Sequence, residues 1–408
     1  MVRARSRLTH RACILAGVAG MAVGLALAGL AEARAQAQPA QWHLAFDSGA
    51  ELDTNIHRCE SGGSDCVVQA APLARTSAKM SLGWQPAQGG RLQLVGFGGA
   101  RWFAEELDRG ENLAVLSGDA RYLWDLPARN AALGARGGYY DTFGYAAPVG
   151  AGVTQRHFAV ANAELHLTLA GGESHELTML GGYRHFRYKP DADFDWGGEH
   201  YGARYRTTRW LDGPEAATAS IELSASYELE RRGYQGAALR NGSCPEDTPG
   251  PCLYLTDQRR SDLAHRGSAE AVYTGDRLYS ARYQLDVVDS NSAGPYAQVR
   301  HRLELGVTSE LFAGLFATAE ATLQVIRYRD VLLLAPGSDL PMPEPGSDFF
   351  VPVDEENRNA FSLHLARDLG RVWSLEARYA LYTSALAAPE LDYQRQLFYV
   401  GVAYRRAP

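Results

Sequence analysis

Four of the five cysteines lie in two short polar clusters, and their spacing points to disulfide chemistry. Cys59 and Cys66 bound the sequence CESGGSDC, and Cys244 and Cys252 bound the sequence CPEDTPGPC. Four cysteines allow three pairings, but two tight clusters favour the local pairs, Cys59 with Cys66 and Cys244 with Cys252. Neither cluster holds a histidine at zinc-like spacing, which counts against a metal site. Because thiols oxidise in exported proteins, we expect two disulfides that stiffen loops.

Three aspartates alternate in the sequence DADFDWGGE, as the first ligands of a calcium loop do. They are Asp191, Asp193 and Asp195. The EF-hand pattern needs glycine at its sixth position and glutamate at its twelfth, but these positions hold Trp196 and Gly202. The sequence leaves two interpretations open, a loop-bound calcium ion and an ordinary polar turn.

Charged residues of both signs recur at alternate positions, which places them on one face of extended strands. They are Arg75, Lys79, Arg101, Asp119, Arg121, Arg136, Glu164, Arg184, Glu222, Glu228, Glu270, Arg300, Arg302, Glu320, Glu376 and Arg378. Inside a wide barrel, such residues would line a wet and selective lumen. The alternative is a salt-bridged wall that only stabilises the barrel.

The stretch 330–357 combines five prolines with seven acidic residues. Folded inward, it would narrow the mouth of a barrel, with Asp339, Glu344 and Asp348 as an acidic constriction. Acidic side chains around a pore favour cations, so this interpretation predicts cation preference. A solvated surface loop is the alternative.

The first 35 residues have the layout of a secretory signal peptide. A basic start precedes an apolar run over 14–30, and the sequence AEARAQA then offers Ala-x-Ala cleavage sites. We expect cleavage after residue 35, or as late as residue 37. A retained N-terminal membrane anchor is the alternative. The folded domain is then expected over 41–406.

From residue 41 to 406 the chain repeats one unit, about ten residues of alternating polarity followed by turn residues. In 220–230 and 315–325, one set of alternate positions is apolar and the other is polar or charged. This pattern predicts an all-β fold, an antiparallel transmembrane barrel of about 16 strands, with roughly 14 to 18 strands compatible. A soluble sandwich or propeller is the alternative, but its strands are usually only about five or six residues long.

Aromatic residues and loop lengths predict which end of the barrel faces outside. Tryptophans fall mainly at the strand ends next to tight turns, as expected of a membrane–water interface. These are Trp42, Trp84, Trp124, Trp210 and Trp373. The long connections, including both cysteine clusters and 330–357, fall at the opposite end. Since long loops of outer-membrane barrels face outside, we expect a Gram-negative outer membrane, with lipid and lipopolysaccharide around the wall.

Composition narrows the function. A net charge of −7 argues against a nucleic-acid partner, which selects basic chains. No Gly-x-Ser-x-Gly nucleophile motif occurs, and the eleven histidines are scattered. We therefore expect no enzyme and no cofactor, with an outer-membrane hydrolase as the alternative. The expected function is a conduit for hydrophilic solutes; the other candidates are an exporter and a plugged structural or surface-interaction barrel.

The segment LAFDSGAELDTNIHR, residues 44–58, resembles the first strand and loop of several bacterial outer-membrane barrels. Those families include the C-terminal barrels of exopolysaccharide export porins and of surface lipoprotein assembly modifiers, whose Asp-x-Asn motif matches Asp53, Thr54 and Asn55. The final QLFYVGVAY, residues 396–404, resembles the closing strand that the barrel-assembly machinery recognises. The resemblance implies the barrel architecture. A polysaccharide-export role would require a separate periplasmic partner, because the helical-repeat domain of those families is not found in this sequence.

Overall fold

The computed structural model describes residues 40–56, 68–87, 89–104, 111–144, 157–172, 174–189, 191–211, 218–242, 252–294, 296–329, 359–383 and 394–406. In these ranges no helix is long and apolar enough to cross a membrane. Two short 3-10 turns, Pro127–Arg129 and Ala192–Phe194, interrupt an otherwise extended chain.

Sixteen strands make up the described part of the chain. They are β1 Gln41–Asp53, β2 Ala71–Ala87, β3 Gly90–Phe103, β4 Leu113–Leu126, β5 Ala131–Gly144, β6 Phe158–Gly171, β7 His175–Tyr188, β8 Trp196–Trp210, β9 Ser220–Gly242, β10 Cys252–Thr274, β11 Arg277–Ser290, β12 Gln298–Phe312, β13 Leu315–Tyr328, β14 Asn359–Asp368, β15 Trp373–Thr383 and β16 Gln394–Arg406.

Each strand pairs antiparallel with the strands before and after it, and β1 pairs with β16 to close a barrel. The predicted fold class and the predicted strand number are therefore confirmed. Alternation of side chains fixes this arrangement, because a one-residue slip would turn every apolar side chain of a strand to the opposite face.

The outer face of the barrel is apolar. Met80, Leu165 and Val400 are 57%, 58% and 60% exposed, and all three point away from the lumen. Exposed tryptophans mark its two ends, with Trp124 and Trp373 beside tight turns and Trp102 at the opposite end. Such a wall with aromatic borders matches the hydrocarbon layer and its two interfaces.

The β9–β10 hairpin is longer than the other strand pairs. Its strands have 23 residues each, so residues 235–242 and 252–261 continue past the neighbouring strands. The register shifts twice between Leu255 and Ser261, and Cys252 lies opposite Gly242 near the tip. At about 3.3 Å per residue, eight residues extend the hairpin roughly 25 Å along its own direction.

Three histidines on the outer face, His175, His265 and His301, are each bonded to a tyrosine. The Tyr283 hydroxyl lies 2.7 Å from Nδ1 of His301, and both side chains point outward from adjacent strands. Two further pairs repeat the same 2.7 Å contact: Tyr227 with His265, and Tyr205 with His175. Since a polar group facing lipid finds no water, the partner hydroxyl keeps the imidazole satisfied.

We expect Tyr283→Phe to lower the free energy of unfolding by about 1–2 kcal/mol, because it leaves a ring nitrogen of His301 without a partner in lipid. Urea unfolding of the barrel in lipid vesicles measures the change. The double variant Tyr283→Phe with His301→Leu should return close to wild-type stability. Equal stability of all three proteins would show that the contact contributes nothing.

Candidate lumen site

All of the predicted lumen residues lie on the inner face of the wall, the face opposite the exposed apolar side chains. The strand registers show this, because each of these residues is paired, from one strand to the next, with residues of the same face. The residues are Arg75 and Lys79 on β2, Arg101 on β3, Asp119 and Arg121 on β4, and Arg136, Glu164, Arg184, Glu222, Glu228, Glu270, Arg300, Arg302, Glu320, Glu376 and Arg378 on the later strands. The question is then which of these charges bind each other.

Buried ion pairs cross the seam where the barrel closes. Arg395 on β16 donates to Asp53 on β1 through Nε at 2.9 Å and Nη2 at 2.5 Å. Arg101 on β3 reaches both Asp53 at 2.9 Å and Glu51 at 2.6 Å, and Arg75 on β2 reaches Glu51 at 3.2 Å. These five side chains connect four adjacent strands.

The Asp53-Thr54-Asn55 motif belongs to the same seam. Asp53 Oδ1 accepts the Asn55 amide N–H at 3.0 Å, which turns the chain at the end of β1. The Thr54 hydroxyl accepts the Gln396 N–H at 2.8 Å, and the Asn55 side chain donates to the Gln394 carbonyl at 3.2 Å. The motif therefore attaches the first strand to the last one at the outer end.

A second buried cluster joins β6 to β9. Glu230 accepts from Arg184 at 2.8 Å and from Arg232 at 2.7 Å, and it is 2% exposed. His200, on the strand between them, is fully buried, with Nε2 lying 3.2 Å from Glu164. Each carboxylate here has a cationic or imidazole partner, so burial leaves neither charge uncompensated.

Two more carboxylates, those of Asp286 and Glu376, each bind more than one basic side chain. Asp286 binds Arg266 at 2.9 Å and Arg300 at 2.6 Å. Glu376, which is 1% exposed, lies within 3.2 Å of three basic side chains. Those are His364, Arg378 and Arg405. These contacts favour the interpretation of a salt-bridged wall for much of the inner face.

Sequence reasoning missed several of the partners. Of the predicted residues, Asp119 and Arg136 bind each other at 2.7 Å. Two other predicted pairs meet as well: Arg184 with Glu228 at 3.6 Å, and Arg378 with Glu376 at 2.6 Å. Other contacts use Glu51, Glu230, Asp286 and Arg395, which the pattern placed on the same face but did not single out. Alternation identifies the face, whereas the partner on the next strand depends on register.

Exposure changes along the lumen between β2 and β8. Arg101 and His200, nearer the long-loop end, are at most 1% exposed. Lys79, Arg121 and Arg204, further toward the tight-turn end, are exposed. Water therefore reaches charged side chains in this part of the lumen.

Aromatic side chains cover the inner wall at the outer end of β5 to β9. Tyr140, Phe158, Phe186 and Trp196 follow one another at ring-centroid distances of 5.4, 5.7 and 5.8 Å. They are buried together with Leu113, Val115, Val160, Tyr188 and Tyr234. Phe194, in the turn between β7 and β8, packs against this apolar cluster.

Arg260 fixes the loop between β11 and β12 to the long hairpin. Its guanidinium lies 3.9 Å from the ring centre of Tyr234 and 3.6 Å from that of Tyr296, and it binds Asp262 at 2.5 Å. Burial raises the pKa of Tyr296, a loop residue. A cation between two rings is a strong contact once desolvated, so Arg260 links Tyr296 to the long hairpin.

The three alternating aspartates form a turn. Asp191 accepts the Asp193 amide at 2.9 Å, and Asp195 accepts the Tyr188 amide at 2.6 Å while burial raises its pKa. Across the ranges given above, no three metal-ligating side chains come together. The described residues therefore fit the polar-turn interpretation and give no support for calcium.

The predicted disulfides and the predicted constriction fall outside the described residues. Cys59, Cys66 and Cys244 lie there, as do Asp339, Glu344 and Asp348. Cys252 is the first residue of β10. The local pairings and the acidic constriction stay predictions.

Asp53→Asn should lower the free energy of unfolding by about 3 kcal/mol, because two buried arginines then lose their shared anion. Asp125→Asn is the matched control, since its 2.7 Å pair with Arg91 is solvent-exposed; it should cost less than about 1 kcal/mol. Urea unfolding in lipid vesicles measures both. Equal losses would contradict a special role for the seam.

No family model matches this chain, and no curated protein matches it. Among solved structures, it is similar to OccAB1 of Acinetobacter baumannii at 9% identity, covering 92% of this chain and 98% of that one, with a TM-score of 0.46. OccK11 (OpdR) of Pseudomonas aeruginosa gives 9% identity, coverages of 90% and 96%, and a TM-score of 0.41. CdiB from Acinetobacter baumannii is 11% identical; the match covers 90% of this chain and 60% of that one, with a TM-score of 0.46.

Similarities this low carry no argument about activity, and the assignment of the fold comes from the wall itself. Sixteen strands close completely, the outer face is apolar with aromatic borders, and the inner face is charged. In bacteria, closed single-chain barrels with an even number of strands span the outer membrane. The chain is a bacterial outer-membrane β-barrel.

Proposed function

We propose that this barrel is a conduit for hydrophilic solutes across the outer membrane. The observation that carries the proposal is a closed 16-strand wall whose inner face holds solvent-exposed charges such as Arg121 and Arg204. A barrel of about 16 strands is too wide to be filled by its own side chains, and similar barrels leave an aqueous channel.

The paired charges predict a weakly selective wall. Most inner carboxylates bind arginines, as in the groups around Glu51, Glu230, Asp286 and Glu376. Paired charges of opposite sign largely cancel at the distance of a passing ion. Strong selectivity would then have to come from unpaired side chains or from the mouth.

A plugged or gated barrel is the second candidate, and burial favours it. Arg101, His200 and Arg395 point inward yet are at most 1% exposed. Burial of these inward side chains supports this candidate at the outer end of the lumen. Its gated version would place the gate in 330–357, which lies outside the described residues.

Planar-bilayer conductance separates the candidates. We expect steady open channels from the wild-type chain, with a larger conductance after deletion of 332–352. Conductance that appears only after the deletion would indicate a gated exporter. No conductance from either protein would contradict the conduit and leave a structural barrel.

Neutralising the loop tests its charge separately from its bulk. The triple variant Asp339→Asn, Glu344→Gln, Asp348→Asn should lower cation over anion preference, measured as the reversal potential in a salt gradient. Glu310→Gln is the control, because its carboxylate already accepts the Gly314 amide in a tight turn. Unchanged preference in the triple variant would mean that these carboxylates face bulk solvent.

A further inference from the structure

Two arginines lie directly opposite each other on the inner wall. Arg121 on β4 and Arg136 on β5 are register partners, which brings their Cβ atoms to about 5 Å. Like charges in such a pair repel each other unless an anion lies between them or beside them. Each residue is five positions from the tight-turn end of its strand, in the wet part of the lumen.

The carboxylates near Arg121 have other partners. Asp119 binds Arg136 through Nε at 2.7 Å, and Glu164 lies 3.2 Å from His200. Asp125 binds Arg91 at 2.7 Å. Within the described ranges, no carboxylate oxygen comes within ion-pair distance of the Arg121 guanidinium, although its side chain is exposed.

A polar rim surrounds Arg121. Gln93 on β3 is its register partner on the other side and is also exposed, so an amide N–H is available there. His166 on β6 lies against Gly134, where a Cβ would come within 2.0 Å of its Nε2. The Nε2 atom is buried with no hydrogen-bond partner. The missing side chain at Gly134 thus lets the imidazole approach the strand that carries Arg136.

We propose that Arg121, Arg136 and Gln93 form a binding site for a small oxyanion, a carboxylate or a phosphate group of a passing solute. The planar guanidinium of Arg121 offers parallel N–H donors that match two oxygens of such a group. The anion supplies Arg121 with a negative charge, as Asp119 does for Arg136. As a step in transport, the site rests on the proposed conduit, but its occupancy does not require conduction.

Arg204 on β8 provides a matched control. It is an inward, exposed arginine six residues from the tight-turn end of its strand, and no carboxylate binds it in the described ranges. Its register partners are Thr178 and Ser226, so it has no opposing cation. Replacing Arg204 changes the lumen charge by the same amount as replacing Arg121 and leaves the opposed pair intact.

Chloride binding to the detergent-solubilised full chain tests the site without any need for conduction. The ³⁵Cl NMR line should broaden with wild-type protein, and inorganic phosphate or acetate should reverse the broadening. We expect Arg121→Gln to weaken phosphate binding about fivefold, a loss of roughly 1 kcal/mol, and Arg204→Gln to leave it unchanged. If phosphate reverses the broadening at a much lower concentration than acetate does, the solute carries a phosphate group. If the two anions reverse it at equal concentrations, the solute carries a carboxylate.

Bilayer recordings then separate the site from the conduit. Phosphate should reduce chloride current in the wild type and in Arg204→Gln, but not in Arg121→Gln. Equal losses of anion binding in both variants would overturn the proposal, because only general wall charge would then matter. Absence of phosphate-reversible broadening in the wild type would overturn it as well. Phosphate-reversible binding without any current would keep the site and reject the conduit.

Discussion

Closure of the sheet is the constraint on which the rest of this structure depends. Lipid offers no water to an unpaired strand edge, so the first and last strands must satisfy each other's backbone groups. Ten residues of β1, Leu44–Asp53, pair with ten residues of β16. Asp53 adds side-chain contacts to Arg395 across a sequence separation of 342 residues, and Thr54 and Asn55 add more. The lumen exists only because this seam holds, and the seam carries five buried charged side chains.

The inner wall shows how charge can be both structural and available to solutes. Buried carboxylates such as Glu230 and Asp286 are each held by two arginines, which offsets the cost of removing them from water. Such groups stabilise neighbouring strands. Arg121 differs, because the nearby carboxylates are already bound elsewhere and the opposite strand presents another arginine. Function is therefore expected where the pairing of wall charges is incomplete.

Much of the fold could be predicted from the sequence, because a barrel strand has a two-residue period that a single chain displays. Strand number, tight turns and the inward direction of residues such as Arg75 and Glu376 follow from that period alone. The ion pairs could not be predicted, since the contact between Arg101 and Asp53 depends on the register of three strands together. The opposed pair Arg121 and Arg136 was also hidden, because each residue looks ordinary on its own strand. The tyrosine partners that make outward histidines tolerable, such as Tyr283 for His301, required the diagonal geometry of paired strands.

A closed wall with lipid on its outer face and water on its inner face gives the adjacent residues Ala203 and Arg204 on β8 opposite environments. Ala203 points outward and Arg204 inward. In a background with Cys59, Cys66, Cys244 and Cys252 replaced by serine, single cysteines at 203 and 204 would be exposed to a water-soluble, membrane-impermeant maleimide in outer-membrane vesicles. We expect cysteine at 204 to react readily and cysteine at 203 to be protected until detergent strips the lipid. Rapid labelling at 203 with protection at 204 would contradict this arrangement.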